Sequence, residues 1–249
     1  MRTWLVQIGA VTLFAGKTLA ELPTALVRPR LWAPQLYRAL VGALPLALVS
    51  GAALGLVAWL QLRQLLVQFE ALHMLPSALA LTVVWEFGPV AAGLIAAGRL
   101  GAGLGAELAA MRNSEQLDAA VALGVPLGAR LVSPRVLACI LALPLLAIFI
   151  DYVAVVSSYL AEAIGGTMSW TEYRRACLEY LKLKDAIPAT LKTMVYGYLI
   201  GVCGCWCGMH AAPGTEGVGN AATQAVVRAT LAIVLADVLL VRLIQLLTP

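Results

Sequence analysis

The chain has 249 residues, of which 61% are hydrophobic and only 12% are charged, and its formal net charge is +4. Soluble domains average about 45–50% apolar and about 25% charged residues, so this chain has too few polar side chains to cover a folded surface in water. The positive charge is spread out, without a basic run or interleaved aromatic residues, which excludes nucleic-acid binding as a main function. The composition therefore predicts an integral membrane protein.

The first 22 residues are predicted to form an amphipathic helix in the membrane interface. Their apolar stretch, 4–15, is shorter than the roughly 20 residues that span a bilayer. The apolar residues recur at helical spacing, as in helices that lie flat on a membrane: Trp4, Leu5, Ile8, Ala15 and Leu19. A cleaved signal peptide is the alternative, but Lys17 and Glu21 interrupt the run to a cleavage site. The prolines and arginines from 23 to 38 predict a bent, basic connector.

Five later segments approach the length of a membrane-spanning helix: 39–60, 74–97, 136–160, 187–207 and 225–247. In lipid only helices and closed barrels satisfy their backbone hydrogen bonds, and no segment alternates with a period of two as a barrel strand would. Glycines four residues apart recur in these segments and predict close helix contacts. The sequence thus predicts an all-α integral membrane protein, with residues 1–249 forming a single membrane domain of five transmembrane helices.

The distribution of Lys and Arg predicts the orientation. With the N-terminus in the cytoplasm, ten of the seventeen basic residues lie on the cytoplasmic side, mainly beside the first span and from 99 to 135. The positive-inside rule favours this arrangement, which places the C-terminus in the periplasm. The connection from 165 to 184 runs against the trend, with Arg174, Arg175, Lys182 and Lys184 outside. It is either an ordinary solvated loop or a contact for an acidic partner or a lipid headgroup.

The second span contains a carboxylate, Glu86, followed by Pro89. A charge at the bilayer centre costs on the order of 2.5–3.5 kcal/mol on insertion scales, so Glu86 should face the bundle interior and have a partner. Pro89 removes a backbone hydrogen bond and predicts a kink. One interpretation is a polar gate or substrate contact formed by Glu86, Pro89 and Arg99. The other is a structural pair between Glu86 and a Tyr, Trp or Lys on a neighbouring helix. Asp151 and Asp237 are expected to be structural or to lie near a membrane interface.

From residue 105 the pattern changes to a charged amphipathic helix that ends at the Gly-Val-Pro of 124–126. Glu107, Met111, Ser114 and Asp118 lie along one side of this helix. A charged helix between two spans is typical of a segment that couples a membrane domain to a partner outside the membrane. From the pattern alone, a solvated loop is the simpler interpretation.

The chain lacks the usual signs of catalysis or metal binding. The cysteines at 203, 205 and 207 with His210 supply too few ligands on one helix face for a tetrahedral site, so we expect no metal and no disulfide. The Gly-Lys-Thr of 16–18 ends like a phosphate-binding loop, but Val11 stands where its leading glycine belongs. We therefore expect a non-catalytic chain that binds no cofactor, with any ATP and Mg²⁺ held by a separate ATPase.

The central part of the chain contains a series of recognisable stretches: E-F-G-P-V at 86–90, A-G-R-L-G-A-G-L-G-A-E-L at 97–108, M-R-N-S-E-Q-L-D-A at 111–119, L-G-V-P at 123–126 and S-P-R-V-L-A at 133–138. Another, G-V-G-N-A-A-T-Q-A-V-V, lies at 217–227. In this order they resemble the MlaE-type permeases, membrane subunits of the ABC transporters that work with MCE-domain lipid-binding proteins. The likeness covers essentially the whole chain. Two departures are Gln224, where the family usually has Arg, and Ala222, where it usually has Thr.

The resemblance implies a homodimer in the bacterial inner membrane that moves phospholipid or a similar hydrophobic molecule between the inner and outer membranes. It implies that 107–123 is a coupling helix that docks on a cytoplasmic ABC ATPase, with these contact residues: Glu107, Met111, Arg112, Glu115 and Asp118. The dimer would enclose a lipid cavity capped by an MCE-domain protein, and Leu56, Trp59 and Leu60 are the expected lipid contacts. The alternative is an ion-coupled secondary transporter or channel that uses Glu86 and Asp151.

Overall fold

The computed structural model describes residues 2–165, 168–181 and 183–247, excluding the side chains of 2–8, 180, 183–185 and 247. All regular structure in these ranges is helical, without a strand. Five helical segments are long and apolar enough to cross a membrane, and we number them spans 1 to 5: Pro29–Gln68, Leu72–Asn113, Gly128–Ile164, Ala186–Met209 and Thr215–Leu246. The predicted fold class, an all-α membrane protein with five spans, is confirmed.

The described residues form ten α-helices: α1 (Arg2–Leu26), α2 (Pro29–Gln68), α3 (Leu75–Thr82), α4 (Gly88–Ala96), α5 (Ala102–Asn113), α6 (Gln116–Ala122), α7 (Ser133–Ile164), α8 (Trp170–Tyr180), α9 (Leu183–Met209) and α10 (Thr215–Leu247). Span 2 begins with a short 3₁₀ turn at Leu72–Met74 and then joins α3, α4 and α5 end to end through π-helical turns at Val83–Phe87 and Ala97–Gly101. A third π-helical turn, Gly128–Val132, leads into α7. The spans are longer than the predicted apolar segments because the helices continue past their apolar centres.

The predicted bent connector from 23 to 38 is wrong. Pro23 lies inside α1, Pro29 opens α2, and Pro34 and Pro45 lie inside α2, so only residues 27 and 28 separate the two helices. Pro29 fits because the first helical N–H has no partner within the helix, and the proline ring already has a helical φ.

Helix α1 packs against the beginning of span 3 and the end of span 4. The Tyr198 hydroxyl donates to the Ala15 carbonyl at 2.7 Å, and the Phe14 and Trp206 rings meet edge to face at 5.3 Å between centroids. The Ser133 hydroxyl donates to the Glu21 carboxylate at 3.3 Å. The side chains of Trp4, Leu5 and Ile8, part of the pattern that predicts an amphipathic α1, lie outside the described part of the chain.

Most of the paired glycines lie at close contacts between helices. A Cβ at Gly51 would stand 2.9 Å from the Ile150 carbonyl oxygen, and one at Gly55 would overlap the backbone of Ala154. Span 4 uses Gly197 in the same way against span 3. The prediction of close packing from glycine spacing is therefore confirmed, since any side chain at these positions would force the helices apart.

The spans connect at two ends, which we call the α6 end and the α8 end. At the α6 end, the connections 114–127 and 210–214 meet, where the Gly214 N–H donates to Asn113 Oδ1 at 2.8 Å. At the α8 end, α8 packs on α3, and the Ser77 hydroxyl donates to the Ala176 carbonyl at 2.8 Å. Tyr173 is fully buried there, whereas Arg174 and Arg175 are exposed. Lys182 and the side chain of Lys184 lie outside the described residues.

Candidate functional site

A buried lysine forms the centre of a charge network within the membrane spans. Lys192 of span 4 is only 3% exposed. Its Nζ donates to Glu86 Oε2 of span 2 at 2.8 Å and to Asp237 Oδ1 of span 5 at 3.1 Å. The hydroxyl of Tyr196, one helical turn after Lys192, donates to the same oxygen of Asp237. We call these four residues the charge network; it ties spans 2, 4 and 5 together.

The local structure of span 2 places Glu86 in this network. Glu86 lies in the π-helical turn Val83–Phe87, directly before the helix that contains Pro89. Proline cannot donate the next helical hydrogen bond, and a π-helical turn is one way in which a helix accommodates such an interruption. The Glu86 side chain remains 39% exposed and that of Asp237 15%, so the network is open on the Glu86 side. The ion pair between Glu86 and Lys192 is the structural pair with a lysine that the sequence analysis considered. The gating role of Glu86 and Pro89 stays a prediction.

Asp151 of span 3 does not join the charge network. Its Oδ1 is buried and has no hydrogen-bond partner among the described residues. It occupies the space that a Cβ at residue 88 would take, so any side chain at Gly88 would require the Asp151 carboxylate to move. No hydrogen bond among the described residues connects Glu86 to Asp151, and a proton relay between them would need a further carrier.

Arg99 lies apart from Glu86, towards the α6 end. Its Nε donates to the Gly42 carbonyl of span 1 at a long 3.4 Å. It lines a cavity of about 170 Å³ together with Arg38, Glu107 and Arg135. Glu86 and Pro89 of the predicted gate therefore lie at the π-helical turn of span 2, whereas Arg99 lies at the cavity towards the α6 end.

The predicted coupling helix 107–123 is not one continuous helix. It consists of the end of α5 and the whole of α6, separated by a turn in which Glu115 has a φ of +57°. Glu115 and Asp118 are exposed, and so are two apolar side chains, Val121 at 57% and Leu123 at 82%. In water an exposed apolar pair beside carboxylates is typical of a surface that binds a partner.

The other three predicted coupling residues face the body of the protein. Glu107 Oε1 accepts from Arg135 Nη2 at 2.6 Å, which joins span 2 to span 3. The Arg112 guanidinium donates to the Met209 carbonyl at the end of span 4. Met111 is partly buried against a cluster of core residues around Leu108. These contacts anchor α5 to spans 3 and 4, while α6 carries the exposed surface.

The three predicted lipid contacts on span 1 do not share one environment. Leu56 and Leu60 are 42% and 53% exposed. Trp59 instead donates from Nε1 to Glu162 Oε2 of span 3 at 2.7 Å, and the Arg63 guanidinium lies 5.6 Å from the centroid of the Trp59 ring. Trp59 thus has a structural role, and sequence reasoning missed both of its partners.

The sequence predicts a Tyr, Trp or Lys partner for Glu86, but it does not single out Lys192 or Tyr196. The available signal was a single cation inside the apolar fourth span, with a tyrosine four residues later on the same helix face. The cysteines at 203, 205 and 207 lie in span 4, and all five cysteines of the chain are free. In the part of the chain that the structure describes, no group of three or more His, Cys, Asp or Glu could hold a metal ion.

These features define a polytopic α-helical membrane protein in which one span continues into an exposed segment. The family described as Permease MlaE matches residues 32–243, and the chain belongs to this family. A probable ABC transporter permease protein of Rickettsia typhi is 32% identical over 242 residues, 96% of this chain and 92% of the relative. A probable ABC transporter permease protein of Synechocystis is 27% identical over 94% of this chain and 89% of the relative's length. The chloroplastic protein TRIGALACTOSYLDIACYLGLYCEROL 1 of Arabidopsis thaliana is 30% identical over 93% of this chain and 66% of its own.

Proposed function

We propose that this chain is the membrane subunit of an ABC transporter that moves phospholipid or a similarly hydrophobic molecule between the inner and outer membranes. Membership of the permease family supports the transporter class. A lipid substrate is supported by the name of the Arabidopsis relative, which contains that of a galactolipid. ATP and Mg²⁺ would be bound by a separate ATPase, because this chain has no Walker A sequence.

The observation that carries the proposal is the exposed surface around α6, which continues from an α5 that contacts spans 3 and 4. Glu115, Asp118, Val121 and Leu123 would dock on the ATPase. When the ATPase moves α6, the displacement passes into α5 and so along the rest of span 2. It also reaches span 3 through the Glu107–Arg135 ion pair and span 4 through the contact between Arg112 and Met209. No covalent chemistry on this chain is needed.

The same proposal sets the orientation and the assembly. The α6 end would face the cytoplasm, which places the N-terminus inside and the C-terminus in the periplasm of a bacterial inner membrane. Two copies would form a homodimer around a lipid cavity, capped on the periplasmic side by an MCE-domain protein. Spans 1 and 5 have apolar faces for a second copy or for lipid, with Leu60 at 53% and Leu239 at 71% exposure.

The test is affinity purification of the tagged chain in mild detergent, with mass spectrometry of the proteins and lipids that co-purify. We expect an ABC ATPase and an MCE-domain protein. Charge reversal by Glu115→Lys or Asp118→Lys should release the ATPase, because the docking surface loses its carboxylates. The matched control is Glu179→Lys, an exposed carboxylate at the α8 end, which should retain it.

Two results would contradict the proposal. If the chain purifies without an ATPase in every detergent tried, the ion-coupled transporter becomes the better hypothesis. If all three charge reversals retain the ATPase equally, α6 is not the docking surface. Uptake driven by an ion gradient in vesicles that lack ATP would identify the alternative directly.

A further inference from the structure

We propose that the cavity between spans 1, 2 and 3 at the α6 end binds the phosphate of a phospholipid headgroup. This inference deepens the proposed function and rests on it for the identity of the cargo. The cavity has a volume of about 170 Å³, and its charged lining consists of Arg38, Arg99, Arg135 and Glu107. Three guanidinium groups against one carboxylate leave an excess of positive charge in a small space. A phosphate group would neutralise this excess.

The most buried of these arginines has an unused donor. The side chain of Arg135 is 8% exposed. Its Nη2 donates to Glu107 and its Nη1 donates to the Leu131 carbonyl at 2.9 Å. Its Nε is buried and has no hydrogen-bond partner among the described residues. A buried charged donor without an acceptor is unfavourable, and such groups are rare unless a ligand or water completes them.

The two more exposed arginines hold further donors free at the cavity. Arg38 makes no hydrogen bond or ion pair with any described residue, and Arg99 makes only the long contact from Nε to the Gly42 carbonyl. Arginine presents a planar fork of N–H groups that matches the oxygens of a phosphate. Arg38 and Arg99 come from different spans, so one phosphate between them would also hold spans 1 and 2 together.

The surroundings favour a lipid as the source of the phosphate. The cavity wall includes apolar side chains on all three spans, among them Ala39, Leu104 and Ala138. Its three arginines each lie within two residues of the end of an apolar segment (39–60, 74–97 and 136–160), which is where a transmembrane helix leaves the hydrocarbon core. Basic pockets between transmembrane helices on the cytoplasmic side commonly bind lipid headgroups. In the proposed orientation the bound lipid would come from the cytoplasmic leaflet.

The test measures lipid binding to the purified full chain by native mass spectrometry. Three probes separate the sources of phosphate: phosphatidylglycerol, diacylglycerol with the same acyl chains, and inorganic phosphate. The unmodified chain should bind phosphatidylglycerol in preference to diacylglycerol. The double variant Arg38→Gln with Arg99→Gln should weaken phosphatidylglycerol binding about tenfold or more, since charge-assisted hydrogen bonds are lost. Arg30→Gln, exposed at the same end of the protein and outside the cavity lining, should keep the preference.

A second variant keeps every charge and fills the space. Gly103 lines the cavity, and a Cβ there would meet nothing within 4 Å, so Gly103→Leu should fold and occlude the site. Gly98→Leu is the matched control, because a Cβ at Gly98 also meets nothing within 4 Å and this residue does not line the cavity. Only Gly103→Leu should weaken phosphatidylglycerol binding.

Each outcome bears on the proposal. Equal phosphatidylglycerol binding by the arginine variant and the unmodified chain would overturn it. Binding of inorganic phosphate that depends on Arg38 and Arg99, without a preference for phosphatidylglycerol, would overturn the lipid assignment. The assay needs no ATPase, so a failure to co-purify the ATPase would refute the proposed function without affecting this result.

Discussion

Replacing the buried lysine of the charge network should strongly destabilise the bundle. Lys192→Met preserves most of the side-chain volume but removes the cation from between Glu86 and Asp237. Removing one partner of a buried ion pair costs about 3–5 kcal/mol. Asp237, with a side chain 15% exposed, should bear most of this cost. Glu86 is 39% exposed, so its carboxylate has more room to reorient than that of Asp237 and should bear the smaller share. We therefore expect the free energy of unfolding to fall by about 3 kcal/mol.

The free energy of unfolding can be measured for the detergent-solubilised chain by titration with a denaturing detergent, followed by circular dichroism. Lys17→Met, at an exposed position of α1, should stay within about 0.5 kcal/mol of the unmodified chain. Combining Lys192→Met with Glu86→Gln and Asp237→Asn should restore most of the loss, because no buried charge then lacks a partner. A single variant that loses less than about 1 kcal/mol, or a triple variant no more stable than the single one, would refute this reasoning.

Two further predictions concern span 2 and its extension. Gly88→Ala should lower the free energy of unfolding by about 1–3 kcal/mol, since its Cβ would overlap Asp151 Oδ1 and overpacking forces side chains or backbone to shift. Gly98→Ala, with nothing within 4 Å of its Cβ, should be nearly neutral in the same unfolding titration. Equal losses of stability in the two variants would show that the overlap with Asp151 is not the cause. Leu123→Glu should leave the unfolding midpoint unchanged, because Leu123 is 82% exposed, but should reduce ATPase recovery in the pull-down at least severalfold. Unchanged recovery would remove Leu123 from the docking surface.

Much of the fold could be predicted because lipid restricts the possibilities. The five apolar segments had to be helices, and the glycine spacing indicated close contacts of the kind that Gly51 and Gly197 make. The prolines from 23 to 38 predict breaks in the chain, but Pro29 occupies the first turn of α2, which tolerates proline without losing a hydrogen bond.

The candidate sites were less predictable than the fold. The sequence singled out Glu86 as a charge that needs a partner, but several lysines and tyrosines were possible. Glu107 and Arg112 share a charged helix with Glu115, and the pattern alone does not tell which of them face the body of the protein. The tertiary contacts decide this, because Glu107 pairs with Arg135 and Arg112 donates to the Met209 carbonyl. The turn at Glu115, with its φ of +57°, ends α5 and sets the direction of α6.

The sequence by itself determined the membrane class, the number of spans and the family resemblance, since each depends on local composition and residue order. Only the tertiary structure decided which charges meet. It brought Lys192 between Glu86 and Asp237, placed Asp151 against Gly88, and collected Arg38, Arg99 and Arg135 around one cavity. The physical reason is that apolar periodicity sets which face of a helix is buried. The partner of each buried charge depends on the rotation and depth of neighbouring helices, which are set by packing across the whole bundle.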